Sequence, residues 1–308
     1  MYPEGPSILS ELIQNADDSG ATTVKVLISM KENGTSSLLG PKMSSWQGER
    51  VRGTIVSRLP TAPPFSNVLL ILPSLLAAGP AIYVYNNSTF SDRDFINLSR
   101  IGQASKLDKL ITTGRFGLGF NAVFHWTDVP SFVSGDYLVM FDPHERYVPG
   151  ATSTSRGIKI KFKGSDLLDQ FPDQFEPYKK FGCDMKNKFK GTLFRFPLRT
   201  SVTAADSEIS KTTFDEAAIR ELVSTFEEKV SKMLLFLRNV KEVQVFAEGG
   251  DGVNNAPTKV LYSAKVGERK AVGGGKQKWS AVSDFITGGS ALQPLSKVRE
   301  RECGELSD

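Results

Sequence analysis

The segment TTGRFGLGFNAVFHWTDV, residues 112–129, places three glycines directly before a stretch that can continue as a helix. Gly114, Gly117 and Gly119 carry no Cβ atom, so the backbone there can approach another group closely and can adopt positive φ. Several backbone N–H groups and a helix N-terminus would then point at one place, and such an arrangement binds anions. A flexible turn is the alternative interpretation, because the chain has 27 glycines and one glycine-rich run is a weak motif.

A second motif, ELIQNADDSG at residues 11–20, favours the anion site. Glu11, Asn15 and Asp18 are spaced four and three residues apart, so they share one face of a helix while apolar residues from Ile8 to Ala16 form another. The solvated side of a surface helix has the same pattern. A polar stripe paired with an anion-binding loop elsewhere in the chain is better explained as part of one site.

Composition excludes several other classes of protein. The net charge of +4 over 308 residues arises without a long Lys/Arg block, so we expect no nucleic-acid partner. Cys183 and Cys303 lie far apart, which indicates neither a disulfide framework nor a zinc site and fits a reducing, cytoplasmic compartment. The chain starts without a signal-peptide pattern. Its longest apolar run, residues 68–78, contains Pro73 and is shorter than the roughly 20 residues that span a bilayer.

The periodicities predict an α+β fold in which a helix is followed by a strand. An amphipathic helix ends near Gly20, and the alternating, β-branched run that follows predicts a strand at residues 23–29. Ser91 is the expected N-cap of a short helix, with Asp94 as its capping-box partner. The longest helix is expected to begin near Thr213. Further strands are predicted at 81–86, 133–142, 157–164 and 191–199, and a hairpin at 240–246 and 258–266.

These motifs together resemble a known superfamily. The ExxxNAxD helix, an asparagine-rich turn, GRFGLGF and GTLFRF look like the Bergerat ATP-binding fold of gyrase, histidine kinases, MutL and the heat-shock-90 proteins. More narrowly, YPEGPSILSELIQNADDSGAT, YVYNNSTFSDRDF, RIGQASK, GRFGLGFNAVFHWTDVPSFVSGD and FDPH resemble the ATPase-like repeat of the sacsin family and its plant members. The resemblance runs from Tyr2 to about Val266 and implies a two-layer α/β sandwich, with a mixed, mostly antiparallel sheet and helices on one face.

The resemblance also implies a role for each motif residue. Glu11 matches the general base that polarises the water attacking the γ-phosphate of ATP. Asn15 matches the amide ligand of Mg²⁺, and Asp18 matches an acidic position that supports the adenine pocket or its waters. Thr192 falls where a hydroxyl closes the adenine pocket. The phosphates would be cradled by Gly114, Gly117 and Gly119 with the N–H groups of Leu118 and Phe120.

Two departures from the superfamily pattern concern adenine and hydrolysis. Where the heat-shock-90 proteins have an aspartate that accepts a hydrogen bond from adenine, this chain has Asn86, or Asn87 if Asn86 does not face the pocket. An amide can still accept that bond, but without the added strength of a charge, and a flipped amide donates instead. The basic residue that relatives bring to the γ-phosphate has no identifiable counterpart, so turnover is expected to be slow or negligible.

The resemblance implies a Mg²⁺-dependent ATP-binding module of a sacsin-like chaperone. Slow ATP hydrolysis would close a lid at residues 96–113 and so drive the handling of client proteins. Client proteins or other chaperones would be the partners, within a larger multidomain chain in the cytoplasm. The alternative is a nucleotide-sensing or scaffolding module that does not hydrolyse ATP. Glu11 favours the first function, whereas Asn86 and the missing basic residue favour the second.

The domain prediction assigns residues 1–247 to the nucleotide-binding domain and 248–308 to a C-terminal hairpin with a tail that is poorly ordered from about Val272. Within the first domain, residues 49–79 interrupt the family pattern. Joining WQG at residues 46–48 to the proline at position 80 gives WQGPAIYVYN, which is how the family continues. We therefore expect an insertion that is a lineage-specific loop or an untranslated segment retained in a gene model. The abrupt start at MYPEG is likewise expected to be a truncation.

Overall fold

A single nine-stranded sheet organises the part of the chain that the computed structural model describes, residues 6–31, 33–47, 80–96, 120–248, 259–266 and 281–284. The order of strands across the sheet is β5-β4-β3-β6-β2-β1-β7-β8-β9. β1 pairs with β7 in parallel, and the other strand pairs in the order are antiparallel. The strands are Thr23–Ser29 (β1), Ala81–Asn86 (β2), Ser131–Gly135 (β3), Tyr137–Phe141 (β4), Gly157–Lys161 (β5), Phe189–Pro197 (β6), Glu242–Glu248 (β7), Lys259–Val266 (β8) and Ala281–Asp284 (β9).

The central strands β1 and β2 match their sequence predictions at both ends. Because side chains alternate along a strand, Ile82 and Val84 pack towards the long helices, whereas Tyr83 and Tyr85 pack on the opposite face. Asn86 continues the first of these two rows. The alternation therefore brings Asn86 to the helical side of the sheet at the end of β2.

Two long helices cover that side of the sheet. They are α1, Pro6–Asp18, and α5, Glu216–Leu234, and they contact each other. The apolar stripes predicted for both helices are buried in one cluster with the sheet. The start of α5 differs from the prediction: Asp215, and not Thr213, is the N-cap, and its carboxylate accepts a 2.8 Å hydrogen bond from the N–H of Ala218. A carboxylate at this position also interacts favourably with the helix dipole.

The opposite face of the sheet is covered by short helices and irregular segments that the sequence did not predict. Their buried residues form a second apolar cluster with the sheet. The segment at 33–47 is held to this layer because the Asp173 carboxylate accepts hydrogen bonds from the N–H groups of Ser36 and Ser37. Burial raises the pKa of Cys183 in this layer to about 11, so its thiol stays protonated at neutral pH. The short helices are the 3-10 helices Pro41–Trp46 and Glu176–Tyr178 with α2, Leu167–Gln170, and α3, Pro172–Phe175.

The fold confirms the predicted α+β sandwich, with a mostly antiparallel mixed sheet and both long helices on one face, and it corrects one strand. The run at residues 133–142 is not continuous, because Gly135, with a φ of 61°, and Asp136 turn the chain between β3 and β4. The Ser91 and Asp94 capping box is present. Helix α4, Ser201–Asp206, follows β6. No helix among the residues described has the length and apolarity needed to cross a membrane.

The C-terminal hairpin belongs to the same sheet as the rest of the fold. β7 and β8 pair as predicted, and β9 pairs with β8. The proposed boundary between residues 247 and 248 falls inside β7, which ends at Glu248. Residues 281–284 form a strand within the tail that was expected to be poorly ordered. The insertion at 49–79 and most of the predicted lid and tail lie outside the described residues.

A buried carboxylate at the end of α1 joins this helix to the start of β7. Asp17 is 6% exposed and accepts hydrogen bonds from three consecutive backbone N–H groups at residues 238–240, over 2.6 to 3.0 Å. Replacing Asp17 with alanine leaves these donors, of which the Val240 N–H is buried, without their acceptor, so we expect a loss of about 2 kcal/mol in the free energy of unfolding. Urea denaturation measures this loss. The same replacement at the exposed neighbour Asp18 is the control, and equal losses at both positions would contradict the role of Asp17.

Candidate functional site

A cavity lies between α1, the end of β2 and the middle of the sheet. Its walls combine apolar side chains with a few polar ones, as is common in ligand pockets. It encloses about 40 Å³, which is room for about three water molecules, so a larger ligand has to widen it. The apolar wall consists of Leu12, Ala16, Phe90, Phe120, Phe132 and Phe194, and the polar wall consists of Asn15, Ser19, Asn86, Ser88, Asp94 and Thr192.

The cavity brings together four residues that the sequence assigned to the site. Asn15 comes from α1, Asn86 from the end of β2, Phe120 from the segment after the glycines, and Thr192 from β6. They are separated by up to 177 positions along the chain, from 15 to 192. The antiparallel pairing of β2 with β6 sets Asn86 directly opposite Thr192. Their convergence is a property of the fold and not of a local motif.

Asn86 lies at the cavity wall, and Asn87 is directed elsewhere. The Asn87 side chain is exposed, and its Oδ1 accepts hydrogen bonds from the N–H groups of Thr22 and Thr23 at 2.8 and 3.1 Å. Its Nδ2 donates to the hydroxyl of Thr22 at 2.8 Å. Asn87 therefore fastens the end of β2 to the start of β1. Of the two asparagines, only Asn86 contributes a side chain to the cavity.

Asn86 and Thr192 are the buried polar residues of the wall, at 6% and 1% exposure. Asn86 Oδ1 accepts a 2.9 Å hydrogen bond from the Ser88 N–H, and the Thr192 hydroxyl donates to the Ser88 carbonyl at 2.8 Å. Thr192 Oγ1 is also 2.9 Å from Ser134 Oγ, which accepts from the N–H of Phe90. The Thr192 hydroxyl thus holds the 86–90 segment against the sheet. The role that the resemblance implied for this hydroxyl was to close the adenine pocket.

The acidic stripe of α1 is only partly at the cavity. Asn15 lines the wall and is half-buried. Glu11 is half-buried one turn earlier on the same face, outside the wall. Asp18, whose expected role was to support the adenine pocket or its waters, is exposed and also outside the wall. The glycine-loop residues Gly114, Gly117, Leu118 and Gly119 lie outside the described residues.

Aromatic rings form the apolar side of the cavity. Phe90 packs edge to face against Phe132 with a centroid distance of 4.8 Å, and Phe132 lies 5.4 Å from Phe194. Phe120 lies 6.0 Å from Phe194. Such rings offer a flat, apolar surface with preferred stacking and edge contacts. This wall suits a flat aromatic group better than a sugar or an aliphatic chain.

The 3-10 helix that begins at Phe120 is held at its other end by a buried arginine that the sequence motifs did not indicate. The 3-10 helix Phe120–His125 ends where the Arg199 guanidinium donates to the carbonyls of Phe124 and His125, at 2.5 and 2.6 Å. Arg199 Nε also donates to Asp128 Oδ1 at 2.7 Å. Burial lowers the pKa of Arg199, and the Asp128 carboxylate opposes this effect. The sequence does contain a signal for this ion pair. Asp128 in WTDVP and Arg199 in FPLR are single charged residues beside apolar runs.

Protein side chains alone form no metal site in the described ranges, where no group of three or more His, Cys, Asp or Glu residues is placed to bind an ion. The wall offers Mg²⁺ the amide oxygen of Asn15 and the carboxylate of Asp94, because Mg²⁺ prefers oxygen ligands and keeps several waters. The wall includes no lysine or arginine among the residues described. Because the wall offers so few side-chain oxygens, a bound Mg²⁺ would also need oxygen atoms from the ligand and from water.

Comparison with known proteins shows the family. The Sacsin domain family matches residues 69–258. Human sacsin is 33% identical over 276 residues, which cover 88% of this chain and 5% of that protein. A solved structure, the N-terminal domain of a DNA repair protein, aligns with a TM-score of 0.33 and 11% identity over 83% of this chain and 51% of its own, too low a score to support any argument. On the family match and the identity to human sacsin, the chain belongs to the sacsin family.

Proposed function

We propose that this chain is a Mg²⁺-ATP-binding module of a sacsin-like chaperone. The observation that carries the proposal is the convergence of Asn15, Asn86, Phe120 and Thr192 at one aromatic-walled cavity. These residues come from the segments that carry the resemblance to ATP-binding proteins. A purine base would pack on the aromatic wall beside the Asn86 amide, and its entry would have to widen the cavity.

The individual residues would divide the work of binding. Phe90, Phe132 and Phe194 exclude water from the base, while Asn86 pairs with its edge. The Asn15 amide oxygen would hold Mg²⁺, which supplies charge neutralisation for the phosphates when bound. Glu11, one helical turn away, would orient and polarise a water at the γ-phosphate. Closure of a lid at residues 96–113 by nucleotide would alter the binding of client proteins.

The second candidate is a module that binds nucleotide, or another protein, without hydrolysis. It is favoured by the absence of lysine and arginine from the cavity wall in the described part of the chain. A transferring phosphoryl group gains much of its stabilisation from a positioned cation. A basic residue from a neighbouring segment of a longer protein would restore hydrolysis, and the isolated chain would then be slow or inactive.

Calorimetric titration with ATP, with and without Mg²⁺, tests the proposal. We expect Mg²⁺ to strengthen ATP binding to the unchanged chain. Asn15→Ala should weaken Mg²⁺-ATP binding about tenfold, because partners of a bound metal typically contribute that much or more, and should leave ATP binding without Mg²⁺ within about twofold. Alanine is compatible with the helix.

Asp18→Ala is the matched control, since Asp18 lies on the same face of α1 but is exposed and outside the wall. We expect it to change the affinity for Mg²⁺-ATP by less than about twofold. Lack of ATP binding by a folded sample would contradict the proposed function. Equal effects of Asn15→Ala with and without Mg²⁺ would remove the assignment of Asn15 to the metal.

A further inference from the structure

The pattern KxKFKG occurs twice in the chain, at residues 159–164 and 186–191. The phenylalanine of each copy, Phe162 or Phe189, is buried in the second apolar cluster, at 3% and 5% exposure. Because side chains alternate along an extended chain, burial of the phenylalanine directs the lysines on either side of it away from this cluster. All the lysines of both copies are exposed.

Both copies meet the turn between β3 and β4. The N–H of Phe162 donates to the Asp136 carbonyl at 3.1 Å, and Phe189 pairs with Gly135. Two strands lie between β5 and β6, and neighbouring strands are about 4.8 Å apart, so the copies are separated by about 14 Å. The lysines that flank the two phenylalanines therefore surround one turn, and we call them the lysine cluster: Lys161, Lys163, Lys188 and Lys190.

The protein itself balances little of the charge of the lysine cluster. The Nζ atom of Lys163 lies 3.9 Å from Asp136 Oδ1, and the other three lysines form no ion pair with any residue that the structure describes. A second carboxylate, Asp184, is engaged by its own turn. It accepts hydrogen bonds from Asn187 and from the N–H of Lys186, which lower its pKa to about 2.

Protection of a sheet edge explains only half of the lysine cluster. β5 is an edge strand, and lysines on an edge strand oppose pairing with another chain. β6 is internal, because it pairs with both β2 and β3, so Lys188 and Lys190 have no edge to protect. Concentrated positive charge of this kind attracts anionic partners.

We propose that the lysine cluster is a docking site for an acidic segment of another protein. A gap of about 14 Å corresponds to about four residues of extended chain, so a short run of Asp or Glu can contact both copies. Nucleic acid fits less well, because the cluster has no arginine to bind a phosphate through two hydrogen bonds. The phenylalanines of both copies are buried, so neither offers a ring for a base to stack on. None of the four lysines lines the cavity, and the inference does not depend on nucleotide binding.

Fluorescence anisotropy with a labelled octaglutamate peptide tests this inference. We expect the unchanged chain to bind the peptide in about 50 mM NaCl and to bind it at least threefold more weakly in about 200 mM NaCl, because salt screens exposed charges. Lys188→Glu with Lys190→Glu should weaken binding about tenfold or more, since two attractions become repulsions. Lys188→Gln with Lys190→Gln should cause a smaller loss, because it removes the attractions without adding repulsion.

Lys42→Glu with Lys229→Glu is the matched control. It changes the net charge by the same amount at two exposed lysines outside the lysine cluster, so binding should weaken by less than about threefold. Circular dichroism verifies that each variant is folded. Equal losses in the two glutamate variants would overturn the inference, and so would a folded, unchanged chain that does not bind the peptide. An RNA strand of the same charge that binds about tenfold more tightly than the peptide would also overturn it, because the surface would then prefer nucleic acid.

Discussion

Replacing Glu11 with alanine is expected to lower ATP turnover by about 100-fold, the contribution typical of a general base, while Mg²⁺-ATP affinity changes by less than about threefold. Glu11 lies one helical turn before Asn15 on the same face of α1, half-buried and outside the cavity wall. A carboxylate there can act on a water near the phosphates without contacting the base. Phosphate release measures turnover, and calorimetry measures affinity.

Glu11→Gln and Asp18→Ala are the controls for this experiment. Glutamine keeps the size of the side chain but cannot take up a proton at neutral pH, so it should reduce turnover nearly as much as alanine. Asp18→Ala should leave turnover unchanged, because Asp18 is exposed at the other end of the stripe. Unchanged phosphate release in Glu11→Ala would remove the catalytic role. Turnover at background level in the unchanged chain would support the non-hydrolysing alternative.

The strands and helices that were predicted well are those with strong periodicity. β1 and β2 are β-branched runs between clear breakers, so their bounds matched the prediction, and the apolar stripes of α1 and α5 identified their buried faces. The layer on the opposite face was missed because its helices span three to six residues, which is too short for a helical period to show. The turn at Gly135 was missed because apolar residues continue on both sides of it.

The site was predictable as a set of motifs but not as a set of contacts. Asn15 and Thr192 were identified from the family pattern, yet the hydrogen bond of Thr192 to Ser88 depends on how β6 meets the end of β2. Adjacent acids illustrate the same limit. A rotation of about 100° per residue puts Asp17 on the buried stripe with Ile13 and turns Asp18 to solvent. The partners of the Asp17 carboxylate at residues 238–240 depend on a tertiary contact that no local pattern indicates.

Asp128→Ala is expected to lower the free energy of unfolding by about 3–5 kcal/mol, because it leaves a buried cation without its counter-charge. The Arg199 side chain is fully buried and that of Asp128 is 5% exposed. Asp128 Oδ1 also accepts a 3.0 Å hydrogen bond from the Ser207 hydroxyl, so the carboxylate joins the segments before and after α4. Urea denaturation gives the size of the loss.

The surface pair of Lys163 and Asp136 is the control, since its charges are 3.9 Å apart and the two side chains are 49% and 26% exposed. Lys163→Ala should cost less than about 1 kcal/mol, and a similar cost for Asp128→Ala would contradict the importance of the buried pair.

A double variant, Asp128→Leu with Arg199→Met, removes both charges of the buried pair. Its cost in free energy of unfolding should be smaller than the sum of the costs of the two single changes, because the double variant leaves no unpaired charge buried. That double variant also loses the hydrogen bonds from Arg199 to the carbonyls of Phe124 and His125. If those bonds position Phe120 at the cavity, nucleotide affinity should fall even where stability is recovered.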